Sequence, residues 1–410
     1  MLLRFEVANH RSILDPVELS MIAVDEDRPA ARSFQLLHEQ VLSVAGIYGP
    51  NASGKSNVLE ALAWLSSAVD RSLRSWDNAI PRDPFKFGDG PQLPSTYEVE
   101  MMADDVRYAY RLEVTDSEVL SESLASYPKR QPRTLFEREG MEISFRRGFE
   151  NASGTRELLT PTTLALSAIM RFSEPEVQPF GRDLRSIMGH GVRSKNYRSA
   201  SPTTESIFQD EAGTPQDVRD SALALLRFAD FGIGDVRVTG HEEAATKLSL
   251  DRRSLSLLHH AAGQEIPFDL KDESAGTRMW FRLIAPALFA LRNGLVLLFD
   301  EIDASLHPRL SARLLDLFQD PVTNPRGAQL IFTTHDTSLL NYLNRDEVWL
   351  TEKGENGSTT LTALAEFGGD KVRRSLNLEK AYLQGRFGAV PELDQIALRR
   401  ALSLVTGNET

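Results

Sequence analysis

The chain has 410 residues and no cysteine, which excludes disulfides, thiolate metal sites and cysteine nucleophiles and favours a reducing, cytoplasmic setting. Its formal net charge of −12 argues against a surface that coats nucleic acid non-specifically, but leaves room for a local basic patch. The N-terminus lacks the layout of a signal peptide, and no apolar run approaches the ~20 residues that span a bilayer, so we expect no membrane association.

The N-terminal part alternates polar and apolar residues in a pattern typical of strands. Residues 2–7 and 17–21 are predicted strands on either side of a turn at 9–12, and residues 41–47 form a short apolar run. This run leads directly into a glycine-rich segment.

That segment, residues 49–56, reads Gly-Pro-Asn-Ala-Ser-Gly-Lys-Ser and fits the phosphate-binding loop pattern. A strand precedes it, and helical spacing of apolar residues follows it over 58–73. In such a turn the backbone N–H groups and the helix N-terminus surround phosphates, the lysine adds charge, and the serine is free for Mg²⁺. The predicted nucleotide-binding residues are Gly49, Asn51, Ala52, Ser53, Gly54, Lys55, Ser56 and Asn57. A merely structural glycine turn is the alternative.

Between residues 97 and about 145, renewed alternation predicts an antiparallel meander. Residues 161–232 then read as mainly helical and are predicted to be an insertion. Its basic residues could contact nucleic acid or a partner, although a solvated surface explains them as well. They are Arg182, Arg185, Arg193, Lys195 and Arg198.

The C-terminal part alternates strands and helices. Residues 295–299 and 329–334 are apolar runs, and a helical pattern over 308–318 separates them, which predicts parallel strands with ligands at their carboxyl ends. A hairpin is predicted around Asn356-Gly357, and residues from 378 onwards read as helical.

Two of these strands end in polar residues suited to phosphate chemistry. Asp300 and Glu301 end the first; the natural assignments are Asp300 to Mg²⁺ and Glu301 to the attacking water. His335 ends the second and would donate to the γ-phosphate. The alternative for the carboxylates is a pair that only caps the next helix. His259 and His260 read as a surface loop rather than a metal site.

The motifs together resemble those of ABC-type ATPases. Residues 271–277 resemble the signature motif, residues 303–308 the D-loop, and residues 333–336 the switch histidine segment. The Asn-His-Arg-Ser turn at 9–12, the large gap between the motif regions and the ending at 379–388 are similar to RecF, SMC and OLD-type ATPases, and most of all to the RloA-like and AriA-like ATPases of antiphage systems. His10 replaces the aromatic residue usual in that turn.

This resemblance implies an α/β fold: an ABC-type P-loop NTPase head with an antiparallel β subdomain and a helical insertion. It implies the cofactors ATP and Mg²⁺, catalytic roles for Lys55, Glu301 and His335, and a homodimer or higher oligomer. In such a dimer Ser274 and Gly276 of one subunit bind the γ-phosphate held by the other, Asp303 crosses the interface, and Arg11 lies near the nucleotide. Gln92 is the nearest candidate for the glutamine loop, which we cannot assign.

We therefore expect three parts: an N-terminal ATPase lobe at 1–160, the insertion at 161–232 and a C-terminal ATPase lobe at 233–410. The function that the resemblance implies is control of a separate effector, a Toprim-type or other nuclease, in response to a phage protein or nucleic acid. The alternatives are an ATP-dependent scaffold with little turnover, a DNA-repair ATPase, and the ATPase half of a transporter.

Overall fold

The computed structural model of the protein describes residues 1–25, 30–34, 39–129, 131–149, 151–172, 174–192, 202–209, 213–239, 254–304, 306–367 and 377–389. The strand-like pattern at 248–250 and the basic residues Arg193, Lys195 and Arg198 of the predicted insertion lie outside the described residues. No helix in the described ranges has both the length and the apolar character needed to cross a membrane.

The described strands are, in chain order, β1 Leu2–Ala8, β2 Val17–Ser20, β3 Arg32–Ser33, β4 Gln40–Val41, β5 Val44–Tyr48, β6 Ser95–Ala103, β7 Val106–Val114, β8 Val119–Tyr127, β9 Arg133–Glu139, β10 Glu142–Phe145, β11 Met188–His190, β12 Ile233–Thr239, β13 Ser254–Ala261, β14 Gln264–Asp269, β15 Val296–Phe299, β16 Gln329–Thr333, β17 Val348–Lys353 and β18 Thr359–Ala363. The described α-helices are α1 Lys55–Ser75, α2 Thr155–Leu158, α3 Ala165–Ile169, α4 Gln178–Arg185, α5 Thr204–Gln209, α6 Gln216–Ala229, α7 Ala275–Asn293, α8 Pro308–Gln319 and α9 Leu378–Leu383.

Two large sheets organise the molecule. One is an antiparallel sheet in the order β10-β9-β8-β7-β6-β1-β2, which confirms the predicted meander. The other has the order β11-β15-β16-β5-β17-β18, and its neighbouring strands from β11 to β17 are parallel while β18 is antiparallel. The fold is therefore the predicted α/β class, and the carboxyl ends of β5, β15 and β16 meet at one edge, where ligands of such sheets bind.

Helix α1 lies between the two sheets because its apolar residues recur at helical spacing on more than one face. Val58, Leu62 and Leu65 are each at most 1% exposed and share one core with residues of both sheets. The opposite face of the parallel sheet is covered by α5 to α8, which share a second core with it. Burial on both faces explains the continuous apolar runs of β15 and β16.

The described residues of the segment 161–232 are largely helical, as predicted, and they also add β11 to the edge of the parallel sheet. In register, Met188 pairs with Leu297 and His190 with Phe299. Farther along the chain, β12, β13 and β14 form a separate three-stranded antiparallel sheet. The loop predicted around His259 and His260 is wrong, because both residues lie on β13, where Ile266 and Glu265 of β14 pair with them.

The turn between β1 and β2 buries His10, whose Nδ1 lies 3.0 Å from the Tyr97 hydroxyl. Burial lowers the pKa of His10 to about 3, with a smaller contribution from Arg11. In the unfolded chain His10 has an ordinary histidine pKa near 6.5. Between pH 6.5 and 3 its imidazole is therefore protonated in the unfolded chain and neutral in the folded chain. The free energy of unfolding should therefore fall as the pH falls through that window.

His10→Phe keeps an aromatic ring and removes this titration. Between pH 7 and pH 4, the variant should lose about 3 kcal/mol less unfolding free energy than the wild type. Denaturant unfolding at both pH values measures this, with His260→Phe as control because the His260 side chain is 47% exposed. The same pH dependence in both variants would show that His10 is not the buried neutral group described above.

Candidate nucleotide site

The phosphate loop connects β5 to α1, as the sequence predicts, and packing leaves no room for side chains at its glycines. Gly54 has a φ of 104°, and a Cβ placed there would lie 2.1 Å from Oγ1 of Thr359. A Cβ at Gly49 would lie 2.4 Å from Oγ1 of Thr351. Glycine is therefore required for this backbone to pass close to the neighbouring strands.

The β17–β18 hairpin braces the loop through two threonines that sequence reasoning missed. Oγ1 of Thr351 lies 2.6 Å from Oγ of Ser53 and donates to the carbonyl of Tyr48 at 3.1 Å. Oγ1 of Thr359 donates to the carbonyl of Ser53 at 2.7 Å. These contacts fix the loop backbone against the hairpin, which lowers the ordering cost of binding phosphate.

The side chain of Lys55 folds back over the phosphate loop. Its Nζ donates to the carbonyls of Gly49 at 2.9 Å and Pro50 at 3.1 Å, so the ammonium group points back across the loop. Burial lowers the pKa of Lys55 to about 8, while nearby carboxylates, Asp300 first among them, act in the opposite direction. The group keeps its charge at pH 7 and can neutralise a phosphate oxygen.

Ser56 and Asp300 meet in the centre of the site, as expected for two ligands of one cation. Oγ of Ser56 donates to Oδ1 of Asp300 at 2.8 Å, and Oγ1 of Thr333 donates to the same oxygen at 2.6 Å. A hydroxyl and a carboxylate are the hard oxygen ligands that Mg²⁺ prefers, the remainder coming from phosphate and water. The residues present fit the metal.

Glu301 follows Asp300 in a conformation that is unusual for a residue other than glycine. Its φ is 55°, and its backbone N–H donates to Oγ1 of Thr333 at 2.7 Å. Such a conformation costs about 1 kcal/mol or more and persists where the surroundings fix it. Thr333 thus holds the Asp300 carboxylate and the backbone of Glu301, while the Glu301 side chain stays exposed on the open side of the site.

The segment after β16 places His335 beside the same groups. The Asp303 carboxylate accepts from Oγ1 of Thr334 at 2.8 Å and from the backbone N–H of His335 at 3.2 Å. Burial and the positive charge of Lys55 lower the pKa of His335, against the carboxylates of Asp303, Glu301 and Asp300. A neutral imidazole at pH 7 retains one N–H to donate to an incoming oxygen. Within one subunit, Asp303 therefore fixes the switch segment.

The turn that carries Arg11 packs against the start of α1. Arg11 forms ion pairs with the buried Glu60 of α1 and, at 3.2 Å, with Asp83. Nδ2 of Asn57 donates to Oγ of Ser12 at 2.5 Å, which ties the turn to the phosphate loop. Burial raises the pKa of Glu60 to about 7, and Arg11 opposes this rise. Arg11 is thus placed beside the nucleotide region but engaged with carboxylates of its own subunit.

The signature segment begins helix α7 and faces outward. Ser274 is the N-cap residue, and its Oγ accepts from the backbone N–H of Thr277 at 3.0 Å. Ser274 is exposed and Gly276 half-buried. Oε1 of Glu273 lies 2.8 Å from Nε2 of His259, and this contact links β13 to the signature. The structure thus brings together every other predicted site residue around the phosphate loop and leaves the signature as a separate, outward-facing helix start.

Two further features lie outside this constellation. Gln92 is on an exposed turn, where its N–H donates to the carbonyl of Asp89 at 2.9 Å, and no described contact assigns it a glutamine-loop role. A polar cleft of about 520 Å³, lined in part by Met1, Arg32 and Arg182, contains none of the predicted site residues. In the described residues, no group of three or more His, Asp or Glu side chains is placed to hold a metal ion.

One family model and several solved structures are similar to this chain. The family model described as "AAA domain, putative AbiEii toxin, Type IV TA system" matches residues 44–341, which include both motif regions. A comparison with curated proteins finds no match. The chain is similar to the SMC head domain from Thermotoga maritima, with 15% identity over 88% of this chain and 98% of that chain and a TM-score of 0.41. It is also similar to an SMC head bound to the C-winged helix domain of ScpA, with 14% identity over 88% of this chain and 97% of that chain and a TM-score of 0.46.

Proposed function

Because the chain belongs to the family described as "AAA domain, putative AbiEii toxin, Type IV TA system", we propose that this ABC-type AAA ATPase binds ATP with Mg²⁺ and hydrolyses ATP. We propose further that its nucleotide state controls a separate effector. One observation carries the catalytic part: the hydrogen bonds that join Ser56, Asp300 and Thr333 at the mouth of the phosphate loop. They bring three distant segments together where metal-assisted phosphoryl chemistry needs oxygen ligands.

In this proposal each residue has a defined task. The loop amides and Lys55 hold the phosphates, and Ser56 and Asp300 hold Mg²⁺, which when bound neutralises charge on the phosphate oxygens. Glu301 accepts the proton of the attacking water, and His335 donates a hydrogen bond to the γ-phosphate. The exposure of Glu301 and His335 leaves both side chains accessible to substrate from the open side of the site.

The outward-facing signature supports a site completed by a second copy of the chain. Within the described residues, the hydrogen-bond partner of the Ser274 side chain is Thr277 of the same helix start, not a phosphate-loop residue. We propose that Ser274 and Gly276 contact the γ-phosphate held by a partner subunit and that Asp303 also reaches this interface. These hydrogen-bond donors reach the γ-phosphate only when two subunits associate. The stability of the dimer therefore depends on the presence of that phosphate.

The proposed cellular role of the chain is to regulate a separate effector protein. The family description mentions a putative toxin of a type IV toxin–antitoxin system, and we propose that this chain acts in antiphage defence. We propose a separate nuclease or other effector as partner, a phage protein or nucleic acid as trigger, and a division into the ATPase lobes 1–160 and 233–410 and a segment 161–232 between them.

The purified protein should therefore release phosphate from ATP in a Mg²⁺-dependent manner and cut no DNA. Lys55→Ala should remove the release, because the ammonium group that neutralises the phosphates is lost. Phosphate release and DNA integrity are measured on the same preparations, with the unfolding temperature as control for folding. Phosphate release that survives Lys55→Ala would overturn the assignment of this site, and DNA cleavage by the protein alone would overturn the separate effector.

The defence role has its own test in cells that carry the native neighbouring genes. Phage plaque counts should fall with the wild-type chain and recover with Lys55→Ala at equal protein level. Equal protection by both chains would contradict control through the nucleotide state.

A further inference from the structure

Helix α7, which begins at the signature, is continuous over Ala275–Asn293 and contains a proline near its middle. Pro286 lies inside the helix, where it lacks the N–H that would bond to the carbonyl four residues earlier. One residue before it, the backbone N–H of Ala285 donates to Oγ1 of Thr204 at 3.1 Å. Oγ1 of Thr204 in turn donates to the carbonyl of Phe281. The hydroxyl thus lies between the donor and the acceptor that a regular helix joins directly.

This hydroxyl comes from a distant part of the chain. Thr204 is the first residue of α5 and is fully buried, and the neighbouring Ile207 and Phe208 belong to the same core as α7. A side chain or water inserted into the helical ladder is a known cause of a bend, as is proline. Two causes of bending therefore lie within one turn of α7.

A bend at this point would matter because of what the first two turns of α7 carry. From Phe281 back to Ser274 the helix spans roughly 10 Å, so a change of about 10° in the bend moves Ser274 by about 2 Å. A misplacement of even 1 Å at a reacting centre can cost about a hundredfold in rate. Nε1 of Trp280 donates to the carbonyl of Leu225 at 2.7 Å, so this end of α7 is also held by α6.

We propose that Thr204 is a positioning residue: its hydroxyl, inserted between Phe281 and Ala285, sets the bend of α7 that aims Ser274 and Gly276 at the nucleotide of a partner subunit. The inference rests on the proposed function, since the signature acts there only in the dimer. It assigns a role to the segment between the two ATPase lobes, because α5 reaches the signature helix from that segment.

The test uses the Glu301→Gln chain with ATP and Mg²⁺ as parent and measures its self-association by sedimentation. Thr204→Val has the same shape but no hydroxyl, so α7 can close its own bond and straighten. We expect at least tenfold weaker association, with nucleotide affinity of the dilute single subunit within twofold. Thr204→Ser should retain association, and Thr134→Val, which removes an exposed hydroxyl on β9 away from α7, should leave it unchanged.

Thr204→Ala provides a second route if the valine variant does not fold, because it also removes the hydroxyl but introduces no branched side chain. It should weaken association to the same extent as Thr204→Val. Association of either Thr204→Val or Thr204→Ala within twofold of the parent overturns the role of Thr204 and leaves the dimer intact. A parent that stays monomeric with ATP overturns the proposed dimer and, with it, this role.

Discussion

Glu301→Gln is expected to lower ATP turnover by roughly two to four orders of magnitude, the usual range for loss of a general base. Glutamine keeps the shape of the side chain but accepts no proton from water at neutral pH. Two hydrogen bonds place residue 301: its backbone N–H donates to Oγ1 of Thr333, and Oγ1 of Thr333 donates to Asp300. Neither involves the substituted carboxylate. Nucleotide affinity should therefore change less than threefold, and single-turnover phosphate release measures the loss directly.

Glu355→Gln is the matched control because Glu355 is exposed on the hairpin that braces the phosphate loop. It should retain turnover within twofold. If Glu301→Gln retained more than a tenth of wild-type turnover, Glu301 would not be the general base, and the exposed carboxylate would need another explanation.

Gly54→Ala is expected to abolish measurable nucleotide binding, a loss of at least a hundredfold in affinity. The added Cβ would lie 2.1 Å from Oγ1 of Thr359 and 2.8 Å from Oγ of Ser12, far inside contact distance. To relieve this steric clash, the phosphate loop must move away from the hairpin. That movement rotates the backbone N–H groups of the loop away from the positions in which they bind phosphate. Titration with a fluorescent ATP analogue measures the affinity.

Gly140→Ala separates this clash from the general cost of placing alanine at a positive φ. Gly140 has a φ of 55° in a turn, and a Cβ there meets no atom within 4 Å. Both variants should lose about 1 kcal/mol of stability for backbone reasons, but only Gly54→Ala should lose nucleotide. Wild-type affinity in Gly54→Ala would show that the loop geometry does not form the phosphate site.

The elements of the site that depend on short stretches of sequence could be predicted. The phosphate loop, the apolar strands β15 and β16 and the carboxylates at the end of β15 are encoded within a few residues of each other. Their convergence also follows, because the carboxyl ends of neighbouring parallel strands lie at one edge. The sequence therefore predicted that Ser56 and Asp300 would meet although 244 positions separate them.

Several contacts of the site could not be predicted, because they join side chains from distant segments. No pattern in the sequence around either residue indicates such a contact. Thr351 and Thr359 are ordinary strand threonines until the hairpin folds against the phosphate loop. Glu60 gives no signal within a helix, since its partner Arg11 lies in another turn. Thr204 could not be linked to α7 for the same reason, although Pro286 within a helical pattern signals an irregularity there.

The measurement that tests the composite site most directly is the mass in solution of Glu301→Gln with ATP and Mg²⁺, compared with the same chain carrying Ser274→Arg. A side chain as large as arginine at the exposed start of α7 fills the space that a partner's γ-phosphate would need, while leaving the phosphate loop of its own subunit untouched. We predict a dimer for Glu301→Gln and a monomer for the double variant, with equal nucleotide affinity at high dilution. ATP-dependent dimers of equal strength in both would contradict a site completed by the signature of a second subunit.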